Sequence, residues 1–169
     1  MKIAIVRIDR MGDMILTLPV IKSLKLCNPE AEIHVYGSNK NIKILKSFKY
    51  VSKFYNINEK QKFNQKYDLT LNFSPGLKSF FRCLFLKSSK KANLIFTSRY
   101  KNVNYSKFLI RFLSNIFFNK TLVINRQKRF NNKKTINQTQ IMFELLNICD
   151  VKYEKQILIE KHFDKIKEI

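Results

Sequence analysis

The chain opens on a short β-branched run, Lys2 to Arg7 (KIAIVR), which the polar stretch Ile8 to Asp13 (IDRMGD) cuts off. That pattern predicts a buried strand followed by a turn. From Met14 to Leu26, Ile15, Leu18, Ile21 and Leu24 recur at near-helical spacing. Pro19 should delay or kink the first turn of this helix, and Asn28-Pro29 should end it. The alternation then repeats. Ala31 to Tyr36 (AEIHVY) reads as a strand ended by Gly37-Ser38, Asn41 to Phe48 as a short helix, and Val51 to Ile57 as a third strand. Asp68 to Phe73 (DLTLNF) reads as a fourth strand, bounded by Ser74-Pro75-Gly76.

Further along, Leu77 to Lys87 is expected as a helix, Ala92 to Thr97 as a strand, and Tyr105 to Phe118 as an amphipathic helix. Leu122 to Ile124 reads as a short strand, Arg126 to Lys134 as a basic loop, Ile136 to Cys149 as a helix, Gln156 to Ile159 as a strand, and His162 to Ile169 as a last helical fragment. Strands alternating with helices at this spacing predict an α/β fold: a Rossmann-like parallel sheet with helices on both faces. The 169 residues fit one domain with a sizeable core. The expected division is a Rossmann-like domain over residues 1–150, with 151–169 as a linker or the start of a second domain.

Charge narrows the class of partner. Lys and Arg number 33 against 12 Asp and Glu, a formal net charge of +21, which favours an anion: nucleic acid, an anionic membrane surface or a phosphorylated glycan. An AT-rich genome, which favours Lys, Asn and Ile, produces the same balance as a plain surface coat. Hydrophobic residues at 45% and aromatics at 13% argue against disorder. Cys27, Cys83 and Cys149 lie far apart and are odd in number, which suggests neither a disulfide framework nor a metal-spaced pair and fits a reducing cytoplasm. No run of 18 apolar residues occurs, and Arg7 and Asp9 interrupt any signal-peptide core, so a soluble or peripheral protein is expected. His34 and His162 have no Cys, Asp or Glu at ligand spacing and are read as structural, with no metal site.

Candidate chemistry concentrates in Arg7 to Pro19 (RIDRMGDMILTLP), which places two Arg, two Asp and a Gly just after the first strand, on the sheet edge where open α/β folds bind ligands. Gly12 is expected to take a backbone conformation closed to other residues. Asp13 then stands at the helix start, either as a cap or as a carboxylate facing a ligand. Arg7 and Arg10 flank it, to hold phosphate or acidic sugar groups or to pair with Asp9. Thr17 either donates into the cleft or bonds its own backbone. Ser74 and Gly76 lie on the same edge, as a cleft-lining loop or a plain turn. Two segments, Leu77 to Lys91 and Lys107 to Lys120, mix basic and aromatic residues. They suit an interfacial helix on anionic lipid, but the preferred reading packs Leu109, Phe112, Leu113, Ile116 and Phe117 into the core.

The run R-x-D-R-x-G-D-x-x-L-T-x-P (Arg7 to Pro19) resembles the opening signature of the family 9 glycosyltransferases, the ADP-heptose:lipopolysaccharide heptosyltransferase type. The resemblance continues through Asn28-Pro29-Glu30-Ala31-Glu32-Ile33, Lys66-Tyr67-Asp68-Leu69 and Ser79, and more weakly to about Asp150. It implies the N-terminal domain of a GT-B fold, which grips the acceptor while a second domain holds the nucleotide sugar. The implied reaction inverts the anomeric carbon and needs no metal or other cofactor. Asp13 would be the general base, and Arg7, Arg10, Gly12, Thr17, Ser74 and Gly76 would bind the acceptor. The implied partners are an anionic lipopolysaccharide core glycolipid, a nucleotide sugar wherever a donor domain is supplied, and the inner face of the inner membrane.

The family is usually about twice this length, and no donor-site motif follows Asp150; neither GxGxxG nor GxxxxGK[ST] occurs. A truncated chain, inactive alone, is therefore expected. The alternative is a non-catalytic basic protein on nucleic acid or an anionic membrane. No RNA-recognition, zinc-finger or basic-zipper signature supports the nucleic-acid branch.

Overall fold

A computed structural model describes residues 1–58, 65–96, 105–124 and 137–153. Six strands, β1 (Lys2–Val6), β2 (Glu32–Gly37), β3 (Lys53–Asn56), β4 (Lys66–Asn72), β5 (Lys87–Phe96) and β6 (Lys120–Ile124), form one sheet in the order β3-β2-β1-β4-β5-β6. All neighbouring pairs are parallel. The helices are α1 (Met11–Ile15), α2 (Leu18–Cys27), α3 (Asn39–Lys46), α4 (Leu77–Phe85), α5 (Tyr105–Phe117) and α6 (Gln138–Ile148). The expected α/β class, a Rossmann-like parallel sheet with helices on both faces, is the one observed. From β1 the chain winds outward through β2 to β3, and from β4 it winds the other way to β5 and β6. The order reverses between β1 and β4, where such sheets open a crevice beyond the strand ends.

The β1 run is apolar without alternation because a parallel sheet is covered on both faces. Ile3 and Ile5 enter one core and Ala4 and Val6 the other, as the two-residue period of a strand requires. The first core is closed by α2, through Val20, Ile21 and Leu24, and by α6, through Ile141, Met142, Leu145 and Leu146. Each such side chain, fully buried, contributes roughly 1.5–3 kcal/mol. The second core packs Phe80 and Cys83 of α4 and Ile110 of α5 against Ala4, Val6 and Ile95.

Four expectations are corrected. The helix expected over 14–26 is two helices, broken at Leu16 and Thr17; Pro19 sits in the first turn of α2, where its missing N–H is tolerated. Asp13 lies inside the first turn of α1, whose N-cap is Arg10, and no side chain caps that end. Gly12 is an ordinary helical residue, since no glycine has a positive φ. The helix expected over 77–87 ends at Phe85, because Leu86 turns extended and the chain enters β5 five residues before Ala92. That first half of β5 runs beside Lys66 to Thr70 of β4, whereas β6 joins it only from Ala92, so the polar KSSKK segment is half-open to water. The elements expected at Arg126 to Lys134, Gln156 to Ile159 and His162 to Ile169, and most of 151–169, lie outside the described residues.

A charged cleft at the carboxyl edge of the sheet

Beyond the carboxyl ends of β1 and β4 lies an open cleft of about 760 Å³, lined by residues of the β1–α1 turn, the start of α3, Asn58, Pro75, Phe96 and Gln138. Its floor is Arg7, the first residue after β1, which is 3% exposed. The backbone N–H of Arg7 continues the ladder to the carbonyl of Tyr36 at 2.9 Å. Its guanidinium donates through Nη1 to the Phe73 carbonyl and through Nη2 to Oε1 of Gln138 at 3.1 Å. The same guanidinium holds two carboxylates, Asp9 Oδ2 at 3.4 Å from Nη1 and Asp13 Oδ1 at 3.2 Å from Nη2. One buried cation thus supports two partly exposed acids, which face the cleft.

The acids differ in their fixing. Asp9 Oδ2 also accepts a hydrogen bond from Ser74 Oγ at 2.8 Å, and that oxygen accepts in turn from the Ile8 N–H at 2.9 Å. Burial pushes the Asp9 carboxyl above its ordinary 3.8; Arg7 and Ser74 oppose that rise, and Asp13 adds to it. Burial lowers the Arg7 pKa, against the pull of Asp9 and Asp13. Asp13 sits one helical turn farther on and makes its ion pair with Arg7. Asn41 of α3 ties the turn from the other side, its Nδ2 donating to the Arg7 carbonyl at 3.3 Å.

The expected site residues separate accordingly. Asp13 and Arg10 line the cleft, and Arg10 is exposed on its rim with Lys40. Arg7 reaches the cleft from below, with both terminal nitrogens engaged and Nε buried without a partner, and it pairs with Asp9 and Asp13. Thr17 is fully buried and bonds the Asp13 carbonyl at 2.8 Å, which removes it from the cleft and leaves the local-backbone reading. Ser74 is fully buried and acts on Asp9. Gly76 caps α4 and is exposed, while its neighbour Pro75 forms the cleft wall. Gly12 has no atom within 4 Å of where a Cβ would stand, so no close approach there requires glycine.

No protein-family model matches the chain, and no curated protein sequence matches it. Solved structures do. A family 9 glycosyl transferase from Veillonella parvula aligns with 89% of this chain and 42% of its own, at 16% identity and a TM-score of 0.66. The E. coli heptosyltransferase WaaC with ADP aligns with 98% of this chain and 53% of its own, at 17% identity and a TM-score of 0.66. The same enzyme with ADP-2-deoxy-2-fluoro heptose gives a TM-score of 0.64 at 16% identity. The likeness is one of fold. The chain spans about half the length of these structures.

Gln138 and Asn41 have no role in the sequence reading, and Asp9 stands there only as a partner for Arg7 or Arg10. Gln138 is 131 residues from Arg7 and arrives on α6, a helix that the Asn137–Gln140 capping box starts. That box was readable as N-x-x-Q ahead of an apolar run. Among the described residues no group of three His, Cys, Asp or Glu could hold a metal, and no helix is long and apolar enough to cross a membrane. His34 is buried within the sheet, with Nδ1 3.0 Å from the Tyr67 hydroxyl.

Proposed function

We propose that the chain forms the acceptor-binding half of an inverting glycosyltransferase of heptosyltransferase type, acting in lipopolysaccharide core assembly, with Asp13 as general base. The observation that carries this reading is the acid pair anchored on buried Arg7, in an open cleft at the point where strand order reverses. The acceptor hydroxyl gives its proton to the Asp13 carboxylate as its oxygen attacks the anomeric carbon, and the nucleoside diphosphate departs with the bonding electrons. Arg7 Nη2, 3.2 Å from Asp13 Oδ1, holds that carboxylate in place. Asp9 is less available to a substrate hydroxyl, because its Oδ2 is already shared between Arg7 and the Ser74 hydroxyl. Arg10 and Lys40 on the rim suit phosphate groups of the acceptor.

The nucleotide sugar is bound by a second half, from the same protein or a partner, since orienting two substrates needs both walls of the site. The 169-residue chain alone is expected to bind a phosphorylated acceptor oligosaccharide and to transfer nothing from ADP-heptose. With a donor half supplied in trans or by fusion, Asp13→Asn should cost about a hundredfold to ten-thousandfold in transfer rate. Its melting temperature should fall only modestly, because the Arg7–Asp13 ion pair is lost but Asp9 still answers Arg7 and no helix cap is removed. Near-full transfer by a folded Asp13→Asn enzyme would refute the assignment.

A further inference from the structure

The helices α4 and α5 cover one face of the sheet, and their outward sides are strongly apolar. Phe85 is 68% exposed, Phe108 69%, Phe112 57% and Ile116 60%, joined by Phe81, Leu109 and Phe117. Phe108, Phe112 and Ile116 stack at four-residue spacing along α5, and Phe81 and Phe85 do so along α4. The preferred sequence reading placed Leu109, Phe112, Leu113, Ile116 and Phe117 in the core; of these only Leu113 packs against it. The core of that layer is filled from the other side of the helices by Phe80, Cys83 and Ile110, with Phe118 just beyond α5. Contiguous exposed apolar surface of this kind marks a contact.

Charge says with what. Between Asp68 and Glu144 the chain carries fifteen of its 33 Lys and Arg and none of its 12 Asp and Glu. Lys78, Lys87, Lys90, Arg111 and Lys120, all exposed, belong to these helices or to the strand residues that follow them. We propose that the α4–α5 face docks on a bilayer surface bearing anionic headgroups, with the aromatic side chains at the acyl boundary and the cations among the phosphates. A second copy fits poorly. A symmetric pairing of this face would oppose cations to cations with no acid to answer them. The seven apolar side chains likewise have no role against the phosphates of nucleic acid.

The inference stands apart from the reading of the cleft, and its readout needs neither substrate. The chain has no Trp, so a single Phe112→Trp reporter is unambiguous. Its emission should shift to the blue with phosphatidylglycerol vesicles, while a Leu26→Trp reporter on the opposite layer should not respond. In flotation, the wild-type chain should follow phosphatidylglycerol vesicles, largely leave phosphatidylcholine vesicles, and partly release in high salt. The triple variant Phe85→Ser, Phe108→Ser, Phe112→Ser should bind at least about tenfold more weakly at unchanged circular dichroism. Arg111→Glu with Lys120→Glu, which leaves the apolar face intact, gives a second test and should also weaken binding. The proposal fails if the chain ignores anionic vesicles, or if both variants bind them as tightly as wild type. It fails equally if the Phe variant abolishes a concentration-dependent dimer or oligonucleotide binding while vesicle binding is absent.

Discussion

The two helical layers that sandwich the sheet have similar apolar content and opposite fates. In the layer built by α2 and α6, Val20, Ile21, Leu24, Ile141, Met142, Leu145 and Leu146 are all buried, because α6 lies against both the sheet and α2. In the α4–α5 layer, each helix buries one side and leaves Phe81, Phe85, Phe108 and Phe112 outside. Helical period alone does not separate the cases. Both pairs of helices touch each other and the sheet, but α4 and α5 carry further large apolar residues on the sides that nothing covers among the described residues. The covered layer is also the one joined to the cleft, through Gln138 to Arg7 and through Thr139 Oγ1 to the Leu16 carbonyl at 3.0 Å.

Breaking the covered layer should have the larger consequences. Arg7→Met keeps much of the apolar stem but leaves two carboxylates without their cation and the Phe73 carbonyl without its donor. For a buried cation with partly exposed partners the expected loss is about 3 kcal/mol, the low end for breaking such a network, measured by urea unfolding. Leu145→Ala, in the same layer, should cost about 2–4 kcal/mol through lost transfer energy and a residual cavity. By contrast, Phe112→Ser on the open layer should change stability by no more than about 0.5 kcal/mol. A loss comparable to that of Leu145→Ala would show that something covers α5 after all.

The smallest effect concerns Asp9, and it sharpens the contrast between the two acids. Its carboxyl should titrate above 3.8 in the folded chain, read from the side-chain carbon shift. In the window between 3.8 and that folded value, the unfolded chain has released a proton that the folded chain still holds. The contribution of Asp9 to stability is therefore present below that window and is lost as pH rises through it. Asp9→Asn should flatten this part of the stability profile; a folded-state midpoint below 3.8 would overturn the burial argument.

The first strand was legible because a strand buried on both faces writes itself as a nearly unbroken apolar run, KIAIV, whereas EIHVY and DLTLN showed as apolar residues alternating with polar ones ahead of turn signals. The start of β5 was hidden. KSSKK shows no strand pattern and its first residue falls within the helix expected over 77–87, yet it pairs on one side with β4 and stays half-open to water on the other. The position of the charged cleft was legible from the Arg7-to-Asp13 stretch and the strand before it. The division of labour inside it was not, since Arg7 and Ser74 lie beneath the acids only once β1 and β4 are paired. Thr17 misled for a similar reason: the break after α1 turns its hydroxyl inward.

The overhang of β5 has one more consequence. Among the described residues no strand lies beside Lys87 to Lys90 on the side where β6 later joins, so that backbone margin is open to strand addition by another chain. Open margins of this kind nucleate edge-to-edge aggregation unless something discourages a newcomer. Here Lys87, Lys90 and Lys91 occupy three of the five leading positions, and any copy approaching in the same register brings the same three charges. Along Lys87 to Lys90, repulsion among these lysines discourages a further strand.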